Sequence, residues 1–194
     1  MSGQPTVNQR SARAGHDMIA GDQTVLNYSV HNHHGPTAKA TVVEQLLTKL
    51  QTEIDDNAQV RAMIDSLRYY YEHKSHDGIV GLEAKLEKGN RAHEIYHALE
   101  KKELFVKTLE KWSMYSSAQE IFVHLLARAE FEYMTHVFPQ IETLSEVEIN
   151  NAITTRIVEP IVVDCGASVF KLTHGTAMGM LYWLAEQCFV RWHK

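Results

Sequence analysis

Two histidines and a glutamate in the middle of the chain have the spacing of a zinc-hydrolase motif. The segment HEIYH, His93 to His97, matches H-E-x-x-H. In that pattern two histidines one helical turn apart hold zinc, and the glutamate acts as the general base. One hypothesis for the function is therefore a zinc-dependent hydrolase that uses His93, His97 and Glu94.

The helix that must carry this motif argues against a hydrolase. At about 100° per residue, the apolar side chains that share one face are Ile95, Leu99, Val106 and Leu109. His93 and His97 then point to the opposite side, toward solvent. A catalytic zinc also needs a third protein ligand in a shielded cleft, and nothing singles out Glu120 or Glu130 for that role. We therefore predict no catalytic residue and no cofactor, and keep His93 and His97 as weak metal candidates.

The remaining reactive side chains form no recognisable catalytic set. His31, His33 and His34 lie in a short histidine-rich tract, which could hold a metal but is also typical of a polar strand end and loop. The tyrosine cluster in RYYYEHK is more typical of a core rim or an interface than of a ligand site. There is no Gly-rich phosphate loop and no G-x-S-x-G, and Cys165 and Cys188 are expected to be buried small hydrophobes.

Composition narrows the class of protein. The chain has 194 residues, 44% of them hydrophobic, which is enough for one globular domain with a packed core. Its formal charge is −5, with Lys and Arg dispersed among Glu and Asp, so we predict no direct nucleic-acid partner. The sequence shows neither a signal peptide nor an apolar run long enough to span a bilayer. We therefore expect a cytoplasmic protein with no membrane partner.

Glycine and proline divide the chain into an N-terminal arm, residues 1–36, and a helical domain, residues 37–194. From Thr41 onward the amphipathic periodicity predicts a mainly α-helical domain of six or seven helices. Ser/Thr-x-x-Glu capping boxes are expected to start three of these helices. The pairs that would form them are Thr41 with Glu44, Ser117 with Glu120, and Ser145 with Glu148.

Apolar stripes and helix breakers set the expected boundaries of the other elements. The helices predicted after the first lie at about 58–72, 79–86, 91–112, 117–139, from 145 onward, and 173–187. Gly89 is expected to end the helix at 79–86 in a left-handed cap. Pro160 is expected to kink or end the helix that starts at Ser145. The final CFVRW segment is rich in aromatic and β-branched residues and allows a short terminal strand.

The N-terminal arm has the pattern of short strands. AGHDMI and AGDQTV are two hexads of the same form, which suggests a hairpin-like pair around a turn at Gly21-Asp22. Leu26, Tyr28 and Val30 alternate with polar residues, as in a strand with one buried face. An isolated β segment of this size is only marginally stable in water. We therefore expect it to pair with other copies of the chain. The residues predicted for self-association are Gly15, Asp17, Ile19, Gly21, Asp22, Val25, Leu26 and Tyr28.

Two other interpretations of the arm stay open. It could be a disordered segment that does not fold on any partner, although the alternation of apolar residues argues against this. It could also be an amyloid-like signalling segment that templates β structure in an effector. In that case the protein would be a signalling adaptor.

Three blocks of the helical domain resemble a known bacterial family. They are GIVGLEAKLEKGNR from Gly78, SAQEIFVHLLARAE from Ser117 and GMLYWLAEQCFVRW from Gly179. These look like the C-terminal domain of ABC-three component systems, and the opening AGHDMIAGDQ is similar to the Gly-Asp arm of short family members. The block at Gly179 to Trp192 is the most specific part of the resemblance.

The resemblance implies an anti-phage or conflict role beside an SMC-like ABC ATPase and a middle component. The family domain is thought to dock a partner or effector onto the ATPase, and many relatives carry an effector at the N-terminus, where this chain has only the arm. We therefore expect a non-enzymatic, oligomerising component. The residues predicted for partner docking, or else for the domain's own closure, are Tyr182, Trp183, Phe189, Arg191 and Trp192.

Overall fold

The computed structural model describes residues 40–72, 75 and 77–194. The arm predicted at 1–36, with its self-association residues, lies outside the described residues, and so does the histidine tract of His31, His33 and His34. The α-helices in the described part are α1 Val42–Asp55, α2 Asp65–Arg68, α3 Leu82–Lys88, α4 Ile95–Trp112, α5 Ser116–Glu132, α6 Glu146–Ile153, α7 Glu159–Cys165 and α8 His174–Glu186. The predicted mainly α-helical fold is confirmed, and these residues contain no strand.

Two of the three predicted capping boxes are confirmed. Thr41 Oγ1 accepts the backbone N–H of Glu44 at 3.2 Å, while the Glu44 carboxylate accepts the N–H of Thr41 at 2.6 Å. Ser145 and Glu148 form the same reciprocal pair at the start of α6. Each box satisfies backbone donors that the first turn of a helix leaves without intrahelical partners.

The third predicted box, Ser117 with Glu120, is wrong. α5 begins at Ser116, one residue before the predicted cap. Glu53 of α1 accepts both the backbone N–H of Ser117, at 3.0 Å, and its hydroxyl, at 2.8 Å. Glu120 instead forms an ion pair with Lys49 at 3.3 Å. A residue distant in sequence therefore supplies the acceptor that we expected from the local motif.

The helix predicted at 58–72 is wrong in its first half. Residues 58–64 are irregular, and only Asp65–Arg68, followed by the 3₁₀ turn Tyr69–Tyr71, is helical. The buried Gln119 side chain accepts the N–H of Ile64 at 2.7 Å and donates to the carbonyl of Ala62 at 3.2 Å. Because α5 satisfies these backbone groups, the segment does not need its own helical hydrogen bonds.

The predicted left-handed cap at Gly89 is also wrong, although a glycine is required there. Gly89 has a φ of −79°, and the left-handed residue is the next one, Asn90, with a φ of 58°. A Cβ atom on Gly89 would lie 2.5 Å from the carbonyl oxygen of Trp192. The glycine is needed because the C-terminal backbone passes against it.

Pro160 lies at a change of helix type, close to the predicted kink. The chain passes from α6 through the π-helical turn Thr154–Val158 into α7, with the proline in the first turn of α7. A similar π turn, Tyr133–Val137, follows α5. Pro160 has no N–H to donate to the preceding turn, and the π turn marks the place where the hydrogen-bond pattern of the helix changes.

Helix α8 lies at the centre of the domain and packs most extensively on α4. A Cβ atom on Gly179 of α8 would lie 2.0 Å from the carbonyl oxygen of Lys101 in α4, so the two backbones are almost in contact. The buried side chains of α4 are Ala98, Phe105 and Leu109. The face that we predicted, which included Ile95, Leu99 and Val106, is rotated slightly, because these three are only partly buried.

Helices α3 and α8 exchange hydrogen bonds at their ends. Glu186 accepts the N–H of Leu82 at 2.8 Å, which caps the N-terminus of α3. The buried Lys85 ammonium donates to the carbonyl of Ala185 at 2.5 Å, in the last turn of α8. Each helix therefore satisfies terminal backbone groups of the other.

The C-terminal segment, residues 187–194, is irregular, so the predicted terminal strand is wrong. The Trp192 ring stacks on Tyr182 with 5.5 Å between centroids and lies 5.4 Å from the Tyr133 ring. The Tyr133 hydroxyl donates to the carbonyl of Arg191 at 3.0 Å. Because side chains of α8 and of the turn after α5 hold this segment, it gains its contacts without a β ladder.

The tyrosine cluster of RYYYEHK is part of the core rim, as predicted. Tyr70 is buried and packs against Phe189, with 4.9 Å between ring centroids. Tyr71 contacts the ring of Trp183 edge to face, while Tyr69 is partly exposed. These rings attach the α2 region to the end of α8.

We predict that Gly179→Ala lowers the free energy of unfolding by about 2–3 kcal/mol, because the added methyl forces α4 and α8 apart. Helix propensity alone would change stability in the opposite direction, by about 1 kcal/mol. Urea unfolding followed by circular dichroism measures the difference. Gly175→Ala, in the same helix, is the matched control. The nearest atom to its Cβ would be Thr173 Oγ1 at 3.6 Å, which is an ordinary van der Waals contact. Equal stability of both variants would contradict the close contact.

Candidate functional site

The HEIYH segment does not lie on one helix. His93 and Glu94 belong to the 3₁₀ turn Ala92–Glu94, and α4 begins only at Ile95. The side chain of His93 is 60% exposed and that of His97 is 70% exposed, in line with the predicted solvent-facing orientation. His97 pairs loosely with Glu100, at 3.9 Å. The two histidines therefore lie on either side of the change from the 3₁₀ turn to α4.

His93 instead meets a carboxylate from another helix. Its Nε2 lies 3.1 Å from Oε1 of Glu146, in the first turn of α6. Single ligand atoms of His93, Glu94 and Glu146 all lie within 4.8 Å of one another. His97 is not part of this group, and neither are Glu120 and Glu130, the two glutamates considered from the sequence.

A buried arginine fixes the position of Glu94. The Arg91 side chain is 5% exposed and donates to Glu94 Oε1 at 2.6 Å. The same guanidinium nitrogen donates to the side-chain oxygen of Asn150 in α6. Burial and the neighbouring Glu94 carboxylate raise the pKa of Tyr182 in α8. Arg91 thus connects the turn before α4 to α6, beside the hydroxyl of an α8 tyrosine.

Glu94, Asn150 and Tyr182, but not the buried Arg91, line a cleft of about 510 Å³. The cleft lies between α4, α6 with its π turn, and the start of α8, and we call it the α4–α8 cleft. Its polar lining is His93, Glu94, His97, Lys101, Glu146, Asn150, Thr154 and His174, and its other lining is Ile153, Val158, Gly175, Met178 and Tyr182. A concave surface of mixed apolar, acidic and basic character is suited to a short protein segment or a small polar ligand.

Most of the residues predicted for partner docking or for closure of the domain are buried in the domain. Tyr182, Trp183 and Trp192 are 4%, 3% and 2% exposed. Phe189 is also buried, and Arg191 forms an ion pair with Asp77 at 3.0 Å. Of these five, only Tyr182 lines the cleft. Their positions match the second alternative, closure of the domain, and a direct docking role for them stays a prediction.

Both cysteines are free and buried, as expected from the sequence. Burial, together with the neighbouring Asp164 carboxylate, raises the pKa of the Cys165 thiol to about 12. The thiol therefore stays protonated near neutral pH and is a poor nucleophile.

Most of the cleft could not be identified from the sequence. Glu146 was visible only as a residue inside the Ser145–Glu148 capping box, and Lys101, Asn150 and His174 carry no motif. They come together because α4, α6 and α8 meet in space, although Lys101 and Glu146, for example, are 45 residues apart in the sequence. Among the described residues, no helix is both long and apolar enough to cross a membrane.

Comparison with known proteins gives one match. The family model for C-terminal domain 9 of the ABC-three component (ABC-3C) systems matches residues 81–192, more than half of the chain. The matched range begins just before α3 and ends at Trp192, so it includes α4, α8 and every residue that lines the cleft. No curated protein and no solved structure matches.

We predict that Arg91→Met lowers the free energy of unfolding by about 2 kcal/mol, because it leaves the Glu94 carboxylate partly buried without a counter-charge. The double variant Arg91→Met/Glu94→Gln should recover a substantial part of this loss. Thermal or urea unfolding of the two single variants and the double variant measures the coupling. Strictly additive effects would contradict a direct interaction between the two side chains.

Proposed function

The chain belongs to the family of C-terminal domain 9 of the ABC-three component systems, and from this premise we propose that it is a non-enzymatic docking component of such a system. In this proposal the helical domain binds other proteins of the same system: the SMC-like ABC ATPase, the middle component and an effector. The system serves defence against phage or a related conflict. The family match is the observation that carries the proposal, because a domain of a multi-component system has its partners within that system.

The α4–α8 cleft is the surface that we propose for docking. It combines exposed charged side chains with apolar ones, as protein-binding surfaces commonly do. Lys101 lines the cleft and has no ion-pair partner within 4 Å among the described residues, so it is available to an acidic group of a partner. Trp192 of the C-terminal segment stacks on Tyr182, which lines the cleft, and does not itself need to touch the partner.

The arrangement of HEIYH supports a function without hydrolysis. Its first histidine and its glutamate precede α4, while its second histidine lies within α4 beside Glu100. Glu94 is held by Arg91, so its carboxylate is already engaged in an ion pair. Both features favour the docking function over the zinc-hydrolase alternative.

We further propose that the N-terminal arm joins copies of the chain. Support comes from the sequence alone: two hexads around Gly21-Asp22, followed by the alternation of Leu26, Tyr28 and Val30. A hairpin-like piece of this length is marginal by itself and has unpaired strand edges. The proposed protein thus combines a domain that binds partners with an arm that sets the number of copies.

We predict that Lys101→Glu weakens binding to the ATPase or the middle component by at least about tenfold, which corresponds to about 1.4 kcal/mol. Co-purification and titration calorimetry with each purified partner measure the effect. Lys107→Glu is the matched control, because it makes the same charge change on α4 but outside the residues that line the cleft. Equal binding by both variants would exclude the cleft as the docking surface, and no binding by the unmodified chain would contradict the docking function.

We predict that removal of residues 1–35 lowers the molar mass in solution to that of one chain, because the strand edges that pair copies are lost. Light scattering of the full chain and of the shortened chain at the same concentration makes the comparison. The full chain carrying Leu26→Asp and Tyr28→Asp should behave like the shortened chain. Identical masses for all three proteins would contradict self-association through the arm, whereas fibre formation by the full chain would favour the amyloid-like alternative.

A further inference from the structure

We propose that His93, Glu94 and Glu146 bind a divalent transition-metal ion at the edge of the α4–α8 cleft. The imidazole Nε2 of His93 and one carboxylate oxygen of each glutamate lie within 4.8 Å of one another. The ligands come from two elements, the 3₁₀ turn before α4 and the first turn of α6. Such an ion would therefore connect these two elements.

Glu94 is prepared as a ligand by its surroundings. Arg91, itself almost completely buried, bonds to Oε1 of Glu94 and to Asn150 of α6, and so holds the carboxylate in one orientation. The other oxygen, Oε2, is buried, and the Tyr182 hydroxyl is a neighbouring group that interacts with this carboxylate. Burial of a charged carboxylate is costly, and a cation at this position reduces that cost. Arg91 acts here as the outer partner that orients a metal ligand.

His93 and Glu146 can adjust to an ion without disturbing the core. Their side chains are 60% and 44% exposed, and their nearest atoms are 3.1 Å apart. Zinc ligands lie about 2.0–2.2 Å from the ion, so the three atoms must move somewhat closer together than 4.8 Å. Rotation of two exposed side chains is sufficient for this change, because neither is packed in the core.

The donor set favours zinc or a similar metal over calcium and magnesium. One imidazole nitrogen and two carboxylate oxygens suit Zn²⁺, whereas Ca²⁺ and Mg²⁺ prefer oxygen ligands alone. The two carboxylates carry two negative charges, and the one positive charge in direct contact with them among the described residues is that of Arg91. Three protein ligands leave one position of a tetrahedral ion open, on the side of the cleft.

This site differs from the one that the HEIYH motif suggests. In the motif His97 is a ligand and Glu94 is the base, whereas here Glu94 is a ligand and Glu146 replaces His97. The proposal does not depend on the docking function, since it rests only on the geometry around Glu94. It also assigns no reaction to the ion.

Zinc titration of the full-length chain tests the proposal. Because His31, His33 and His34 form a histidine-rich tract, the measurements use a parent chain in which these three are glutamine. Calorimetry and equilibrium dialysis give the stoichiometry, and the visible absorption of bound Co²⁺ reports nitrogen and oxygen ligation. We expect one ion per chain for this parent.

Variants of the parent identify the ligands. His93→Ala and Glu146→Gln should each weaken zinc binding by at least about tenfold, while His97→Ala should change it less than about twofold. Glu146→Gln preserves the shape of the side chain, and its unfolding midpoint without metal verifies that the fold is intact. Absence of zinc binding by the parent, unchanged binding by Glu146→Gln, or an equal loss in His97→Ala would each overturn the proposal.

Discussion

The close approach of α4 and α8 at Gly179 is the contact on which the rest of the domain depends. Only a residue without a side chain allows the two backbones to meet, since a Cβ atom would lie 2.0 Å from the Lys101 carbonyl. With the helices this close, α8 is buried along most of its length and can serve as the centre around which the other helices pack. Gly89 has the same role at the end of α3, where it makes room for the backbone at Trp192. The two contacts bring the last residues of the chain into the core.

Polar groups at helix ends are satisfied across the fold as well as locally. Glu53 of α1 caps α5, and Gln119 of α5 binds the backbone of residues 62–64. Glu186 caps α3, while Lys85 returns a hydrogen bond to the end of α8. Because an unpaired buried backbone group is costly, each of these side chains specifies which helix end lies beside it. The polar contacts thus fix the arrangement that apolar burial makes favourable.

The α4–α8 cleft is a consequence of this arrangement. It forms where the turn before α4, the first turn of α6 and the start of α8 converge above the closely packed part of α4 and α8. The aromatic residues that we predicted for docking or closure are buried in the domain, and of these only Tyr182 lines the cleft. Membership of the ABC-three component family gives the biological setting, and the cleft gives a defined surface at which binding of a partner or an ion can be measured.

Features that depend on residues close together along the chain could be predicted from the sequence. Periodicity indicated a mainly α-helical domain, and two capping boxes were predicted correctly because both partners lie within one turn, at Thr41 and at Ser145. Three family-like blocks pointed to the family. Contacts between residues distant in sequence could not be predicted in this way. Glu53 accepts the hydrogen bonds at the start of α5, the backbone at Trp192 packs against Gly89, and Glu146 lies beside His93 and Glu94. These contacts could be seen only in the folded domain, because the packing of the helices brings together residues that no local spacing connects.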